Sequence, residues 1–280
     1  MGGKNAQLAF YYQNVYAIYQ ILRELKAGLL ISVELEKVVE GAHGQELDIH
    51  LQLKDKVSNF YEIKSGLQFT DSVAEIKKTI KKFIIAYSKK SNEERHKYFL
   101  IIHPRPRSPI LQVRTDLQRI IEKRRRYGVK VTSYCRKWKI RDKEKFETVL
   151  ENTEIQSVND LGEIISLCKA ELSEIVKDLV MNADHGLSID DLLNRLVNLL
   201  ILSLKHSNGK VDLAKFVDEI HDWIARNRVA SRTASQSGLN IETELKKEKE
   251  ALLESFRAKF PTIDLSKIAQ KLDSSIMRNE

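Results

Sequence analysis

At 280 residues, with 42% hydrophobic and 31% charged residues, the chain has the composition of a globular protein with one large domain or two modest ones. Its two cysteines match neither a metal-binding spacing nor a disulfide framework, and its N-terminus matches neither a signal peptide nor a transit peptide. The most apolar run, 192–204, is interrupted by two asparagines and an arginine, which argues against a membrane span. We therefore expect a cytoplasmic protein with no membrane partner.

The positive charge is concentrated in one segment of the chain, although the net charge is only +8. Residues 77–145 hold 23 lysines and arginines against 6 aspartates and glutamates, whereas the segments on either side are mildly acidic. A polyanion such as nucleic acid is the natural partner of such a segment. The alternative interpretation is a basic helix surface that is merely solvated.

Hydrophobic periodicity predicts an α/β fold for the first half of the chain. In chain order we predict a helix over Gln7–Lys26, a strand over Leu29–Val39, strands through Asp48 and through Glu62, a helix over Asp71–Lys89, a strand over Tyr98–His103, a helix over Ser108–Tyr127 and a strand over Gly128–Tyr134. Three successive strands favour a meander, and the later strand–helix–strand passage favours a parallel crossover. The predicted architecture is a mixed central sheet with helices on its faces.

The second half of the chain shows helical periodicity alone. From about Arg141 onward we predict helices and no further strand. The sequence thus predicts an α/β domain over residues 1–140, followed by an all-α region over residues 141–280.

The strands through Asp48 and Glu62 carry the residues that say most about chemistry. Apolar and polar residues alternate in both strands, so Glu62 and Lys64 share one face, and Asp48 lies opposite the apolar face of its own strand. A hairpin through residues 54–58 is expected to bring the two carboxylates and the ammonium together. Such a set can bind a divalent metal and cut a phosphodiester.

Metal binding would make this hydrolysis accessible, because a phosphodiester is anionic and repels hydroxide. Hard oxygen ligands favour Mg²⁺ or Mn²⁺. We predict that Asp48 and Glu62 are the ligands and that the backbone carbonyl of Ile63 adds a further oxygen. Lys64 would orient the attacking water, assist its deprotonation or stabilise the phosphorane, and the two carboxylates favour its charged form. On a solvated face, the same residues would be ordinary cross-strand ion pairs.

This pattern resembles the PD-(D/E)XK nuclease superfamily, which has the restriction-endonuclease-like fold. Its core is a helix, three antiparallel strands, a helix and a strand. Its signature is an acidic residue on the second core strand followed by Glu-x-Lys on the third, and Asp48, Glu62 and Lys64 match it position by position. The resemblance covers about the first half of the chain.

The N-terminus carries a narrower resemblance. Gly2-Gly3, Phe10-x-Tyr12-Gln13 and Val33-Glu34 are similar to motifs of the double-stranded DNA endonuclease domains of CBASS effectors and related bacterial antiphage proteins. This resemblance implies that Gln13 reaches the catalytic pocket from the first helix. It also implies that Glu34 is the first-strand acid, although Glu36 would point the same way from a regular strand.

Lysines and arginines of the basic segment are the candidates for phosphate contacts. They are Lys77, Lys78, Lys81, Lys82, Arg105, Arg107, Arg124, Arg125 and Arg126.

The sequence therefore predicts a metal-dependent endonuclease that hydrolyses double-stranded DNA, with a PD-(D/E)XK nuclease-like domain over residues 1–140. Residues 141–280 would serve oligomerisation or partner docking. The resemblance implies an effector of bacterial antiphage defence that forms a homo-oligomer and works with a sensor or ATPase partner protein.

Two alternatives remain open at the level of sequence. One is a noncatalytic nucleic-acid-binding protein on a degenerate nuclease fold. The other is a protein-interaction module whose helical half is the functional part and whose basic band docks on an acidic protein.

Overall fold

The computed structural model describes residues 2–38, 46–64, 72–89, 91, 93–102, 115–120, 128–157, 160–179, 188–233, 240–266 and 268–270. Within these residues the chain forms two compact units. The first unit comprises residues 1–13 and 34–163, and the second comprises residues 14–33 and 164–280. The predicted division at residue 140 stays a prediction.

The strands are β1 (Leu30–Val38), β2 (Glu46–Leu53), β3 (Val57–Lys64), β4 (Arg95–Ile102) and β5 (Thr153–Ser157). The helices are α1 (Gly2–Lys26), α2 (Ser72–Ser88), the helical residues 115–120 (α3), α4 (Gly128–Trp138), α5 (Lys143–Glu151), α6 (Leu161–Leu179), α7 (Ile189–His206), α8 (Leu213–Thr233) and α9 (Ile241–Lys259). A short 3₁₀ turn, Lys54–Lys56, joins β2 to β3.

The five strands form one sheet in the order β1-β2-β3-β4-β5. Strands β2 and β3 are antiparallel, because the turn between them reverses the chain. Strands β3 and β4 are parallel, as are β4 and β5, so the sheet is mixed. Helix α2 makes the connection between β3 and β4 that a parallel pair requires. The predicted mixed sheet flanked by helices is confirmed.

The core of the first unit lies where α2, α4 and α5 cover the sheet. One buried cluster joins Phe83 of α2, Tyr98 of β4, Trp138 of α4 and Phe146 of α5. Each of these side chains is at most 1% exposed. Burial of aromatic side chains on this scale contributes about 1.5–3 kcal/mol per residue and fixes α2 against the sheet.

Two parts of the secondary-structure prediction are wrong. Residues 128–134 belong to helix α4, although their β-branched residues suggested a strand, because Val131, Tyr134 and Trp138 recur at helical spacing and are all buried. A strand also follows Arg141. Strand β5 pairs in parallel with β4, and it escaped prediction because it is only five residues long and contains a single large apolar residue, Ile155.

The second unit is built mainly from α6, α7, α8, α9 and the larger part of α1. Helix α1 ends at the predicted position, where Gly28 adopts a positive φ of 67° and the amide of Leu29 donates to the carbonyl of Glu24. The helical character predicted for the C-terminal part is confirmed. No helix among the described residues is both long enough and apolar enough to cross a membrane.

Candidate active site

The candidate site lies on the hairpin of β2 and β3, at the end of β3. Ile49 pairs with Tyr61, so the antiparallel register sets Asp48 opposite Glu62. Residues directly opposite in an antiparallel pair project to the same face of the sheet, and Lys64 follows Glu62 by two residues on that face. The hairpin therefore brings together the three side chains that the sequence pattern singled out.

Asp48 is fixed by a backbone hydrogen bond across the hairpin. The amide of Ile63 donates to Oδ2 of Asp48 at 2.6 Å. This bond orients the carboxylate and leaves Oδ1 as its other acceptor. The predicted use of the Ile63 carbonyl as a metal ligand stays a prediction.

Glu62 is the most deeply buried charged group of the site, with 1% of the residue exposed. Its Oε1 accepts hydrogen bonds from Nζ of Lys64 at 2.5 Å and from Nζ of Lys82 at 2.8 Å. The other oxygen, Oε2, is buried and has no hydrogen-bond partner among the described residues. A buried carboxylate oxygen without a donor is costly, so it needs a further positive group.

Helix α2 supplies the remaining charges around the site. Lys82 is 13% exposed and reaches Glu62 from this helix. Glu75, two turns earlier on the same helix face, lies with Oε2 3.5 Å from Nζ of Lys64 and with Oε1 2.7 Å from Nζ of Lys78. Lys64 is thus held between a strand carboxylate and a helix carboxylate.

The net effect of burial and these charges is to raise the pKa of both Asp48 and Lys64. Burial, with repulsion by the Glu62 carboxylate, raises the pKa of Asp48 to about 7 against the opposing effects of the Ile63 amide, Lys64 and Lys82. Burial lowers the pKa of Lys64, but attraction to Glu62, Asp48 and Glu75 outweighs it and the pKa is raised. Lys64 is therefore an ammonium at neutral pH.

The first-strand acids differ from each other in this structure. Glu34 is half-buried, and its Oε2 lies 3.4 Å from Nδ1 of His50, a buried residue of β2. Glu36 is exposed and has a φ of 49°, so the strand is not regular there and the two side chains do not share one environment. Gln13 is half-buried on α1, and its role in the pocket stays a prediction.

The predicted phosphate-contact residues are distributed over more than one environment. Lys78 is exposed, Lys77 and Lys81 are half-buried, and Lys82 turns into the candidate site. The predicted contacts at Arg105, Arg107, Arg124, Arg125 and Arg126 lie outside the described residues.

The donor set of the site fits Mg²⁺ or Mn²⁺. Asp48 and Glu62 offer hard oxygens on one face, and the unpartnered Oε2 of Glu62 is a position that a cation would satisfy. No group of three His, Cys, Asp or Glu side chains within the described ranges can hold a metal ion. Mg²⁺ is commonly held by one or two carboxylates, with waters and substrate phosphate completing its shell, so two suffice.

Sequence analysis missed Glu75 and the inward position of Lys82. Their spacing of seven residues, next to the buried Ile76 and Phe83, places both beside the apolar stripe of α2. That spacing was visible in the sequence. It becomes informative only when α2 is known to lie on the face of β3 that carries Glu62.

Comparison with known proteins identifies similar solved structures only. No protein-family model and no curated protein matches the chain. A structure of the Acinetobacter baumannii Cap4 SAVED/CARF-domain containing receptor is similar, with a TM-score of 0.50 and 15% identity over 76% of this chain and 46% of that chain. The same receptor with the cyclic trinucleotide 2'3'3'-cAAA is similar with a TM-score of 0.50 and 14% identity, over 88% of this chain and 47% of that chain. The chain thus spans about half the length of these structures, and the likeness concerns the fold.

Proposed function

We propose that the chain is a metal-dependent endonuclease that hydrolyses DNA phosphodiester bonds on a restriction-endonuclease-like core. One observation carries this proposal. Asp48, Glu62 and Lys64 converge on one face of a hairpin, with a buried oxygen of Glu62 left unpartnered among the described residues. An exposed cross-strand ion pair needs neither that burial nor a second lysine on the same carboxylate.

Asp48 and Glu62 would hold the metal, which supplies charge neutralisation at the phosphate and a lower pKa for the attacking water. Hydrolysis joins the water oxygen to phosphorus while the ester P–O bond breaks. The water loses a proton to solvent and the departing oxygen gains one. Because Asp48 and Glu62 would hold the metal, the reaction would take place at the end of β3.

Lys64 would act as a charged donor in this reaction. Because its pKa is raised, it is protonated at neutral pH and has no lone pair with which to accept a proton from water. An ammonium directed at the phosphate oxygens stabilises the negative charge that grows in the transition state. Charge stabilisation is therefore the role that we propose for Lys64, in preference to general-base catalysis.

We further propose that this nuclease is an effector of bacterial antiphage defence, acting on double-stranded DNA as a homo-oligomer. Two features support this. The N-terminal motifs resemble those of CBASS effectors, and the similar structures are receptors with SAVED/CARF domains, one of them with a cyclic trinucleotide. The sensor partner of this chain would accordingly be a protein that detects a nucleotide signal.

A noncatalytic nucleic-acid-binding protein is the second candidate, and one observation favours it. Only two acidic ligands gather on the hairpin, and no metal-holding group of three is present among the described residues. A degenerate nuclease would keep the basic residues and lose metal-dependent cleavage.

Incubation of purified protein with supercoiled plasmid and Mg²⁺ tests the proposal. We expect nicked or linear product with the wild-type protein and at least a hundredfold slower cleavage with Lys64→Ala, because removal of one donor to transition-state charge costs about 10²–10³ in rate. Lys97→Ala is the matched control, since Lys97 is an exposed lysine near the opposite end of the neighbouring strand β4.

The outcomes separate the two candidates. Cleavage that is lost with Lys64→Ala and kept with Lys97→Ala supports the nuclease. Equal behaviour of wild type and Lys64→Ala overturns the catalytic assignment. DNA binding without any Mg²⁺- or Mn²⁺-dependent cleavage selects the noncatalytic candidate.

A further inference from the structure

A cavity lies in the first unit, on a side of α2 other than the one that directs Lys82 at Glu62. Its volume is about 290 Å³, and Lys81, Lys139, Arg141, Asp142 and Lys145 contribute its charged lining. None of Lys139, Arg141 and Lys145 belongs to the set of phosphate contacts predicted from the sequence. Among the described residues, the cavity thus gathers four basic residues and one acidic residue from α2, the turn after α4 and the start of α5.

The single acid among the described lining residues, Asp142, is already engaged. Asp142 caps helix α5, where its Oδ1 accepts from the amide of Lys145 at 2.9 Å, and its Oδ2 lies 3.5 Å from Nζ of Lys145. Lys81, Lys139 and Arg141 have no acidic partner among the residues that the structure describes. Burial, together with the nearby cations Lys77 and Lys139, lowers the pKa of Lys81. Three of the four cations among the described lining residues are therefore without a carboxylate partner in the part of the chain that the structure describes.

The backbone at Lys139 supports a functional reading of this cavity. Lys139 has a φ of 56°, in the left-handed region that favours glycine, at the end of α4. Its neighbour Trp138 is buried in the core, and the amide of Ile140 donates to the carbonyl of Cys135 at 2.9 Å, so the turn is fixed on both sides. A lysine occupies a position where glycine would relieve strain, and its side chain lines the cavity.

The remaining lining consists of three isoleucines and Ser88, and the volume of the cavity limits the size of the ligand. Ile84, Ile85 and Ile140 contribute to the same wall. At about 290 Å³, the space is at the small end of ligand sites and suits one nucleotide unit. A phosphate would contact the basic residues, while the adjoining sugar would contact the isoleucines.

A larger cavity in the second unit, about 630 Å³ and lined by α7 and α8, has no such excess of basic over acidic residues in its described lining. Its titratable lining consists of three basic residues and three acidic residues: Arg195, His206, Lys215, Asp212, Asp218 and Glu219. This balance favours neither an anion nor a cation, so the smaller cavity carries the stronger inference.

Helix α2 relates the basic cavity to the candidate active site. Lys81 lines the cavity and Lys82 contacts Glu62, and consecutive residues of an α-helix are rotated by about 100°. A nucleic-acid strand with one phosphate at the candidate active site would therefore reach the cavity by passing around helix α2.

We propose that the cavity bordered by Lys81, Lys139 and Arg141 binds a backbone phosphate of the nucleic-acid strand that the candidate active site would cut. The identity of this ligand rests on the proposed nuclease function. This cavity would add a contact that positions the nucleic-acid strand against α2, and it would take no part in the reaction.

Binding of a fluorescent duplex oligonucleotide, measured by anisotropy in EDTA over a range of salt concentrations, tests this site apart from cleavage. Loss of one phosphate contact lowers the slope of log K against log salt by about 1. We expect Arg141→Gln to raise Kd about fivefold with that decrease in slope. The control is Lys143→Gln, which removes an exposed charge that does not line the cavity and should change Kd less than twofold.

Lys139→Gly keeps the test decisive if a substitution disturbs folding. Glycine accepts the positive φ at this position, so this variant should retain or raise the melting temperature while Kd rises as for Arg141→Gln. A weakened affinity in a protein of undiminished stability can then be attributed to the lost charge.

Three results would overturn the proposal. They are equal effects of Arg141→Gln and Lys143→Gln, displacement of the duplex by polyglutamate as efficient as by DNA of the same charge, and an absence of duplex binding by the wild-type protein. The proposed function fails separately. Duplex binding through this cavity with no plasmid cleavage in Mg²⁺ refutes the nuclease, and cleavage with equal Kd in the two variants refutes the cavity alone.

Discussion

Glu62 shows how unusual the charge arrangement of the hairpin is. Both of its ion pairs, to Lys64 and to Lys82, converge on one carboxylate oxygen, while the other is enclosed without a donor among the described residues. Removal of a carboxylate from water costs several kcal/mol, and two lysines on one oxygen offset this incompletely. Sites that tolerate such a cost are commonly functional.

Asp48 makes stability depend on pH in a direction opposite to that of most carboxylates. Its pKa is about 7 in the folded protein and about 4 in an unfolded chain, so the folded state retains a proton that the unfolded state releases between these values. The free energy of unfolding therefore falls as pH rises from about 4 to 7 and stays level above.

We predict that Asp48→Asn removes this dependence. At pH 8 in EDTA the variant should be more stable than the wild type by on the order of 4 kcal/mol, and the two should converge below about pH 4. Urea unfolding at several pH values measures the difference. A constant difference between the two proteins at all pH values would contradict the raised pKa of Asp48.

At the scale of elements, the sequence predicted strands β1 to β4 and helices α1 and α2 because their periodicity agrees with their local propensity. The opposition of Asp48 and Glu62 also follows from alternation and a short turn. Helix α4 could not be predicted this way, because Val129, Val131 and Thr132 favour strands locally. Packing of Tyr134 and Trp138 into the core stabilises the helical conformation over this local preference.

Alanine substitutions on the exposed face of α4 distinguish these two assignments. Thr132 and Ser133 are exposed, so Thr132→Ala combined with Ser133→Ala should stabilise a helix by about 0.5–1 kcal/mol in total. In a strand, the loss of threonine would destabilise. Chemical unfolding measures the sign. Ser133→Gly shows that the measurement detects a change of this size, because glycine destabilises a helix and a strand alike.

Part of the candidate site could not be predicted from the sequence. The position of Lys82 next to Glu62 depends on which face of β3 helix α2 covers, and that is a long-range property. The sequence indicated that α2 carries a basic band. It could not indicate that Lys81 lines a cavity while Lys82 contacts Glu62.

At the scale of the whole molecule, the two units are predicted to respond to acid in opposite ways. His221 of the second unit is buried, its Nε2 lies 2.7 Å from the carbonyl oxygen of Lys249, and burial lowers its pKa. His221 therefore takes up a proton more readily in the unfolded chain than in the folded one, and this destabilises the second unit as pH falls below about 6.5. In the first unit, protonation of Asp48 in the folded state raises the free energy of unfolding as pH falls over the same range.

Hydrogen exchange at pH 7 and pH 5, corrected for the intrinsic rate, measures this contrast. We expect protection to decrease in α8 and α9 and to increase in β2 and β3. His221→Phe provides the control, because it should abolish the change in the second unit alone. Parallel changes in both units in the wild-type protein would contradict the prediction.

The path of the chain through the two units has a practical consequence. Residues 14–33 belong to the second unit, yet they are flanked on both sides by segments of the first. No single cut in the polypeptide can release either unit whole, and a fragment ending at residue 140 lacks strand β5 at the sheet edge. Dissection of this protein will succeed by point substitution where truncation fails.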